Sequence, residues 1–438
     1  NKMRTAAFHT LGCKVNAYET EAMEQALVAA GYELRAFEER ADVYIINTCS
    51  VTNIADRKSR QMLHRAKSLN PGAVVVAAGC YAQAAAESLK EDGSVDLVLG
   101  NQEKKDLVRI LEAYFSEDAA PAVHVGDMRE AKRYEDLSAN RSEEHTRAFL
   151  KVQDGCNYFC TYCTIPYARG FSRNPPIASL VEQAEQAVRE GGKEIVLTGV
   201  NIGDFGETTG EKFIDLVKAL DGVEGIRRFR ISSLEPDLLD DVLIGYCAHS
   251  RAFMPHFHIP LQSGSDEVLK LMHRRYTRDV FAHKIHLIKK LMPDAFIGVD
   301  VMVGCRGETS DCFEDSYEFI KSLPVTQLHV FPYSERPGTS ALHINYIVPD
   351  KDKKERVHRL LKLSDEKTLA FYAAHIGKEA EVLFEKAAHG KAMHGFTKNY
   401  IRVELPPLDD NDRLDNEIVR VKLGEFNFDK SALKARLL

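Results

Sequence analysis

Six short apolar runs, at 148–153, 194–200, 227–232, 255–261, 297–303 and 327–333, are each followed by a segment of helical period. Strands that alternate with helices imply a parallel sheet, because parallel neighbours need a long crossover and a helix supplies it. Six such units in succession predict a partial (β/α)6 barrel over 146–375, with its site at the carboxyl ends of the strands. Residues 1–115 repeat the alternation. Strands at 5–10, 43–47, 74–78 and 95–99 and helices at 18–30, 55–69, 83–89 and 104–114 predict an α/β domain with a doubly wound parallel sheet. Residues 116–145 are rich in Ala, Asp, Glu and Arg without apolar periodicity and read as a linker. Past Ile376 the runs shorten to 381–385, 393–396, 400–405 and 418–423, the pattern of a small β-barrel over 376–438.

No apolar run approaches the roughly 20 residues that span a bilayer. The start, Asn1 to His9, enters a strand pattern without a charged-then-apolar signal segment, so a cytoplasmic protein without membrane contact is expected. Nine cysteines, an odd number on a chain of this kind, point to metal ligands, reactive thiols or core residues before disulfides. The net charge of −7 rules out a uniformly basic coat but leaves local nucleic-acid patches open. Two basic runs, 270–290 and 351–367, read equally as such patches or as solvated helix faces.

The cysteines are not evenly distributed. Cys156-Asn-Tyr-Phe-Cys160-Thr-Tyr-Cys163 packs three into a C-x3-C-x2-C motif just after the first barrel strand. A [4Fe–4S] cluster normally takes four thiolates, so three leave one iron open to an external ligand such as the amino and carboxylate groups of S-adenosylmethionine. Zinc sites instead pair C-x2-C units with a matching fourth ligand, which is not evident nearby. With this motif the chain resembles the radical S-adenosylmethionine (SAM) superfamily. The resemblance implies that the backbone at Tyr162 meets the SAM adenine.

Cys13, Cys49 and Cys80 each follow an expected strand of the first sheet, so a parallel sheet would bring all three to one edge. They read either as a second cluster site or as three small core residues. Leu11-Gly-Cys-Lys-Val-Asn, Ile46-Asn-Thr-Cys-Ser-Val-Thr and Gly79-Cys-Tyr-Ala-Gln, together with the triplet, resemble the methylthiotransferase family over nearly the whole chain. Leu197-Thr-Gly-Val-Asn-Ile-Gly-Asp, His258-Ile-Pro-Leu-Gln-Ser-Gly-Ser-Asp and His329-Val-Phe-Pro-Tyr-Ser-Glu-Arg-Pro-Gly-Thr extend the match.

The resemblance implies a central radical SAM barrel, a TRAM-like RNA-binding tail and two [4Fe–4S] clusters, with SAM as cofactor and tRNA as substrate. An electron donor such as flavodoxin or ferredoxin is implied as a partner, and the sulfur donor is left unidentified. Ser232, Glu235 and Gln262, with Asn201 as a weaker candidate, are implied to hold SAM. Strand capping and turn hydrogen bonds are the alternative roles for such polar side chains. Gly12-Cys-Lys-Val-Asn resembles the type acting on N6-threonylcarbamoyladenosine next to the anticodon. The isopentenyladenosine-tRNA and ribosomal-protein types are the neighbouring alternatives. A non-catalytic electron-transfer or RNA-binding protein is a further one, against which the open-iron triplet speaks.

Lys14 and Asn16 flank Cys13 and are candidates for contact with substrate or cluster sulfur, or for simple loop structure. Gly304-Cys-Arg-Gly-Glu-Thr309 departs from the family's Gly-Phe-Pro-Gly-Glu-Thr and places Cys305 and Arg306 near the expected SAM end. Arg306 or an arginine of the 274–278 run is a candidate partner for the threonylcarbamoyl carboxylate. Cys247 and Cys312 read as core, and Cys305 as a thiol near the site. In the tail, Phe396, Tyr400 and Arg402 are candidates for stacking on unpaired bases, though strand alternation requires about half to face the core.

Overall fold

The computed structural model describes residues 3–116, 122–131, 134 and 146–438. Its first sheet comprises β1 (Thr5–Thr10), β2 (Glu33–Arg35), β3 (Val43–Thr48), β4 (Val74–Gly79), β5 (Leu97–Leu99) and β6 (Ala122–His124), ordered β2-β1-β3-β4-β5-β6. All the pairings are parallel. Alternation along β3 shows why helices cover both faces. Val43 and Ile45 pack with Met23 and Leu27 of α1 (Lys14–Ala29), while Tyr44 and Ile46 pack with Leu63 and Ala66 of α2 (Asn53–Leu69). The sheet is therefore doubly wound, as expected. Two of its strands were not expected. β2 and β6 are three-residue edge strands, too short to show a period. The linker expected over 116–145 lies mostly outside the described residues, but within it Ala122–His124 completes the sheet rather than merely connecting it.

The second body contains β7 (Arg147–Lys151), β8 (Glu194–Thr198), β9 (Arg228–Ile231), β10 (His256–Gln262), β11 (Phe296–Val303) and β12 (Gln327–Pro332), which match the six expected strands closely. They pair in parallel as β7-β8-β9 and β10-β11-β12. The bridges Phe229–Phe253 and Ser233–His258 join the two sets into one open barrel. One continuous apolar core, including Leu180, Leu216, Phe229, Phe257, Ile285, Val299 and Leu328, packs the surrounding helices onto it.

The tail forms a closed five-stranded barrel from β13 (Glu379–Phe384), β14 (Met393–Thr397), β15 (Arg402–Leu405), β16 (Ile418–Phe426) and β17 (Leu433–Leu437). Closure removes the free sheet edges that would otherwise pair with other chains. This small barrel docks on the amino-terminal ends of the central strands. The fully buried Arg228 donates to the carbonyls of Phe396 and Glu381, and Arg230 to those of Thr397 and Lys398.

The same junction corrects the reading of the tail aromatics. Tyr400 stacks on His256 at 4.1 Å and on Phe396 at 4.4 Å, and Arg147 lies 5.1 Å from the Phe396 ring. These two rings seal the barrel floor and are not free to stack on bases. Of the two basic runs, 351–367 lies on the helix Asp350–Ala373. There Arg356 pairs with Glu308, Arg359 with Glu314, and Lys367 caps the Leu323 carbonyl, so these cations fasten the helix to the barrel. Among the described residues, no helix is long and apolar enough to cross a membrane.

Candidate active site between the two cysteine triplets

Cys13, Cys49 and Cys80 follow β1, β3 and β4, adjacent strands in register, so their carboxyl ends present the three thiols side by side. Gly12 sits at φ +94, and a Cβ there would lie 2.9 Å from the Cys49 sulfur. Only glycine lets the β1 end approach Cys49 so closely. Cys13 caps the start of α1 and is exposed, whereas Cys49 and Cys80 are buried. Asn101 Nδ2 approaches the Cys80 sulfur at 3.6 Å and donates to the Ala168 carbonyl at 2.8 Å, tying this edge to the loop that carries the second triplet.

That loop leaves the carboxyl end of β7. Gly155 has φ +75, and a Cβ there would meet the Phe171 carbonyl oxygen at 2.1 Å. The two strands of the loop are thus pinned together by Asp154 and Arg173, which exchange backbone hydrogen bonds at 2.8 and 2.9 Å, and by Cys156 N–H donating to Gly170. Gly155→Ala is expected to force the loop open, displace Cys156 and lower iron retention at this triplet; iron content and the cluster's visible absorbance check it.

Donors surround the sulfurs. The Tyr158 and Ile165 amides approach Cys156 and Cys163 at 3.5 and 3.4 Å, Asn201 Nδ2 lies 3.6 Å from Cys156, and Arg274 donates to Cys160 at 3.2 Å. Burial pushes the thiols of Cys49 and Cys156 up to about 11 and that of Cys163 up to about 12. Bare thiols here stay protonated at neutral pH, and a bound metal makes them thiolates. None of the nine cysteines is in a disulfide. Donors aimed at sulfur and buried, unpaired thiols form a donor set that fits an iron–sulfur cluster.

The expected SAM-holding residues converge on the same rim. Asn201, Ser232, Glu235 and Gln262 stand just past β8 and β9 and at the end of β10. Asn201 Oδ1 and Gln262 Oε1 are buried acceptors without a partner among the described residues, and Gln262 has φ +67. Buried polar atoms are nearly always satisfied, so two orphans on one rim fit a ligand bearing donors. Tyr162 packs on a small apolar cluster with Met272, Cys305, Cys312 and Tyr333.

Glu235 is paired with Arg274, and burial outweighs that pairing to push its carboxyl up to about 7. Arg274, which the sequence suggests only as a substrate cation, thereby orders both the cysteine loop and a rim carboxylate. Nothing in its own neighbourhood of the sequence signals this, since its partners lie 39 and 114 residues away.

Several expectations are corrected here. Arg306 binds Glu335 at 2.6 Å and the carbonyls of Leu342 and Ile344, so it fastens a loop. In the 274–278 run Arg274 pairs with Glu235 and Arg278 with Asp315, whereas Arg275 lies exposed over the Tyr158 ring and makes no ion pair among the described residues. Cys305 is buried in the apolar cluster and burial raises its pKa far above that of a reactive thiol. Cys247 and Cys312 are buried as expected. Asn16 serves structure: its amide donates to the carbonyls of Leu11 and Thr48 at 2.8 and 2.9 Å. His258, Asp300 and His329, on adjacent strands, form a group the sequence reading did not single out, with His258 Nε2 2.6 Å from Asp300. Asp300 opposes His329 in the register of β11 and β12, and His258 opposes Gly298, two residues before Asp300 on the same face, a pairing that only the strand register reveals.

Comparison with known proteins decides what this arrangement belongs to. Residues 5–100 match the model of the Uncharacterized protein family UPF0004, and residues 150–320 that of the Radical SAM superfamily. The chain is 42% identical over 427 residues to the threonylcarbamoyladenosine tRNA methylthiotransferase MtaB of Bacillus subtilis, covering 96% of this chain and 94% of that one. It belongs to the radical SAM methylthiotransferase family. A tRNA-2-methylthio-N(6)-dimethylallyladenosine synthase of Cereibacter sphaeroides is 35% identical over 88% of each chain. Among solved structures, the radical SAM methyltransferase TsrM from Kitasatospora setae superposes with a TM-score of 0.58 at 14% identity, over 78% of this chain and 77% of that one, a likeness of fold. The methylthiotransferase described here is thus an enzyme of the radical SAM type that acts on tRNA, and its two cysteine triplets face one interface between its first two bodies.

Proposed function

We propose that this enzyme adds a methylthio group to carbon 2 of N6-threonylcarbamoyladenosine beside the tRNA anticodon, using two [4Fe–4S] clusters and SAM. The observation that carries the reading is the convergence of Cys13, Cys49 and Cys80 with Cys156, Cys160 and Cys163 at the carboxyl ends of two parallel sheets. When bound, the auxiliary cluster would hold the sulfur to be methylated, and SAM with the other cluster would supply the methyl group and the reductive cleavage that activates the adenine carbon.

The chain's own residues do the rest. The six cysteines would hold the clusters. Tyr162, Asn201, Ser232, Glu235 and Gln262 would orient SAM, with the acceptors of Asn201 and Gln262 taking its donors. In this reading residues 1–115 carry the auxiliary cluster, 116–145 connect, 146–375 bind SAM and 376–438 form a TRAM-like RNA-binding domain. A cytoplasmic flavodoxin or ferredoxin would supply electrons.

The substrate subtype is supported by relatives named for it at 42% and 41% identity. It also has a chemical basis in Lys14. Burial, with the like charges of Arg147 and Arg230, lowers the pKa of this ammonium, and it makes no ion pair among the described residues. Arg306, Arg274 and Arg278 are already paired with carboxylates, and Lys14, next to the cluster ligand Cys13, is the cation we assign to the threonylcarbamoyl carboxylate. Purified, reconstituted enzyme offered tRNA bearing threonylcarbamoyladenosine is expected to methylthiolate it, and to leave tRNA bearing isopentenyladenosine unmodified. Mass spectrometry of the digested nucleosides reads both; product only from the second tRNA would overturn the subtype.

A further inference from the structure

We propose that Phe159, Tyr167 and Phe171 form a stacking rim that receives an unpaired base of the tRNA anticodon loop, at the mouth of a cavity between the two cysteine triplets. The proposal rests on the enzyme's action on tRNA and not on which N6 substituent it prefers.

A cavity of about 510 Å3 opens where the two α/β bodies meet. Its wall includes Ser50, Tyr81 and Thr164, each the residue after a cysteine of one triplet or the other, together with Tyr167 and Arg336. Arg336 reaches from the loop after β12 to Ser50 at 2.9 Å and Asp56 at 2.8 Å, so the wall is braced from both bodies. The cavity thus offers a base a way in beside both triplets.

Three aromatic rings stand beside this opening in the open. Phe159, Tyr167 and Phe171 are 39%, 60% and 48% exposed. Phe159 meets Tyr167 and Phe171 edge-on, with centroids 5.8 and 6.0 Å apart, so the three form one continuous apolar surface. Phe159 holds φ +51, a conformation a phenylalanine rarely adopts. Single exposed apolar residues are ordinary, whereas a contiguous aromatic patch beside a cavity marks an interaction surface.

Unpaired RNA bases are bound by stacking on aromatic side chains, while bases inside a duplex are not accessible to such rings. One cation that suits a phosphate backbone stands beside the patch and another at the cavity wall. Arg275 is exposed and donates to the Asn157 carbonyl in the cysteine loop, and Arg60 on α2 donates to Tyr81 on the cavity wall. The tail aromatics are excluded, because Phe396 and Tyr400 are consumed in the barrel floor.

The test uses the reconstituted full-length enzyme and an anticodon stem-loop with 2-aminopurine in its loop. Tyr167→Leu and Phe171→Leu keep apolar bulk and remove the ring; iron per chain and melting temperature confirm that each variant folds. Each is expected to weaken stem-loop binding roughly tenfold, as loss of a stacking ring does, and to reduce the quenching of 2-aminopurine on binding. Tyr167→Phe should bind like the parent. Affinity for a blunt RNA duplex should be unchanged in all variants. The proposal is overturned if the double Leu variant binds the stem-loop like the parent, or if it loses the duplex to the same degree. Should the parent enzyme modify isopentenyladenosine instead, the substrate reading falls while these binding results still decide the rim.

Discussion

Replacing Cys160 by alanine is expected to abolish reductive SAM cleavage while iron stays bound at Cys13, Cys49 and Cys80. The two triplets hang from different sheets, with Cys160 in the loop after β7 and the others at the ends of β1, β3 and β4. Each sheet has its own apolar core, so removing one thiol leaves the other frame standing. The loss should exceed the roughly 10–100-fold that changes to groups around a metal ligand cost, since here a ligand itself goes. Cys49→Ala makes the reciprocal case. It should stop methylthio transfer and remove the auxiliary iron, yet leave substantial deoxyadenosine production, because SAM chelation needs only the open iron of the other triplet. Iron counting and deoxyadenosine assays on both variants read the crossed pattern. Undiminished cleavage by the Cys160 variant, or full product from the Cys49 variant, would remove the corresponding assignment.

What could be read from the chain alone follows from what periodicity encodes. The strands that carry function were visible, because fully buried runs such as Val43–Thr48 and Val74–Gly79 are continuous apolar stretches between turn residues. So were both triplets, Cys13, Cys49 and Cys80 because each follows a strand at the edge where a parallel sheet gathers ligands, and Cys156, Cys160 and Cys163 because of their C-x3-C-x2-C spacing. The edge strands β2 and β6 escaped because three residues display no period, and β17 went unread although Leu433–Leu437 alternates buried and exposed positions.

Side-chain partnerships across the chain were also hidden. Alternation at Tyr400 indicates that one face is inward, but not that the ring, set at φ +62, leaves its own barrel to stack on His256 144 residues earlier. Likewise Arg306 and Arg274 are equally basic in the sequence, and only the fold assigns one to a loop and the other to a cysteine sulfur. Polar residues at such sites depend on long-range geometry, which no local pattern carries.

The largest stability effect is expected at Glu19. This carboxylate is fully buried where α1 meets the central barrel, 2.8 Å from Arg169, 3.2 Å from Lys104 and 3.5 Å from Lys151. Asp154, 2.7 Å from Lys151 and 3.2 Å from Arg169, is the other carboxylate of the group. Burial pushes the Glu19 carboxyl up, but Arg169, Lys104 and Lys151 outweigh it and hold the pKa at about 2. Glu19→Gln keeps the shape and removes the charge, which strands three buried cations with one carboxylate. Breaking a buried pair in this way costs about 3–5 kcal/mol, because the partner charge is left uncompensated.

Lys104→Met should cost less, since Glu19 retains Arg169 and Lys151 and the lost cation leaves no orphan of its own sign. The pH dependence separates this from a packing defect. A carboxyl whose folded pKa lies below its unfolded value stabilises fully above the unfolded pKa and loses that contribution as pH falls toward the folded one. The gap between parent and Glu19→Gln in denaturation midpoint should therefore be constant near neutrality, and shrink from about pH 4.5 toward pH 2. A gap that does not change with pH would mean that the side chain acts through shape alone.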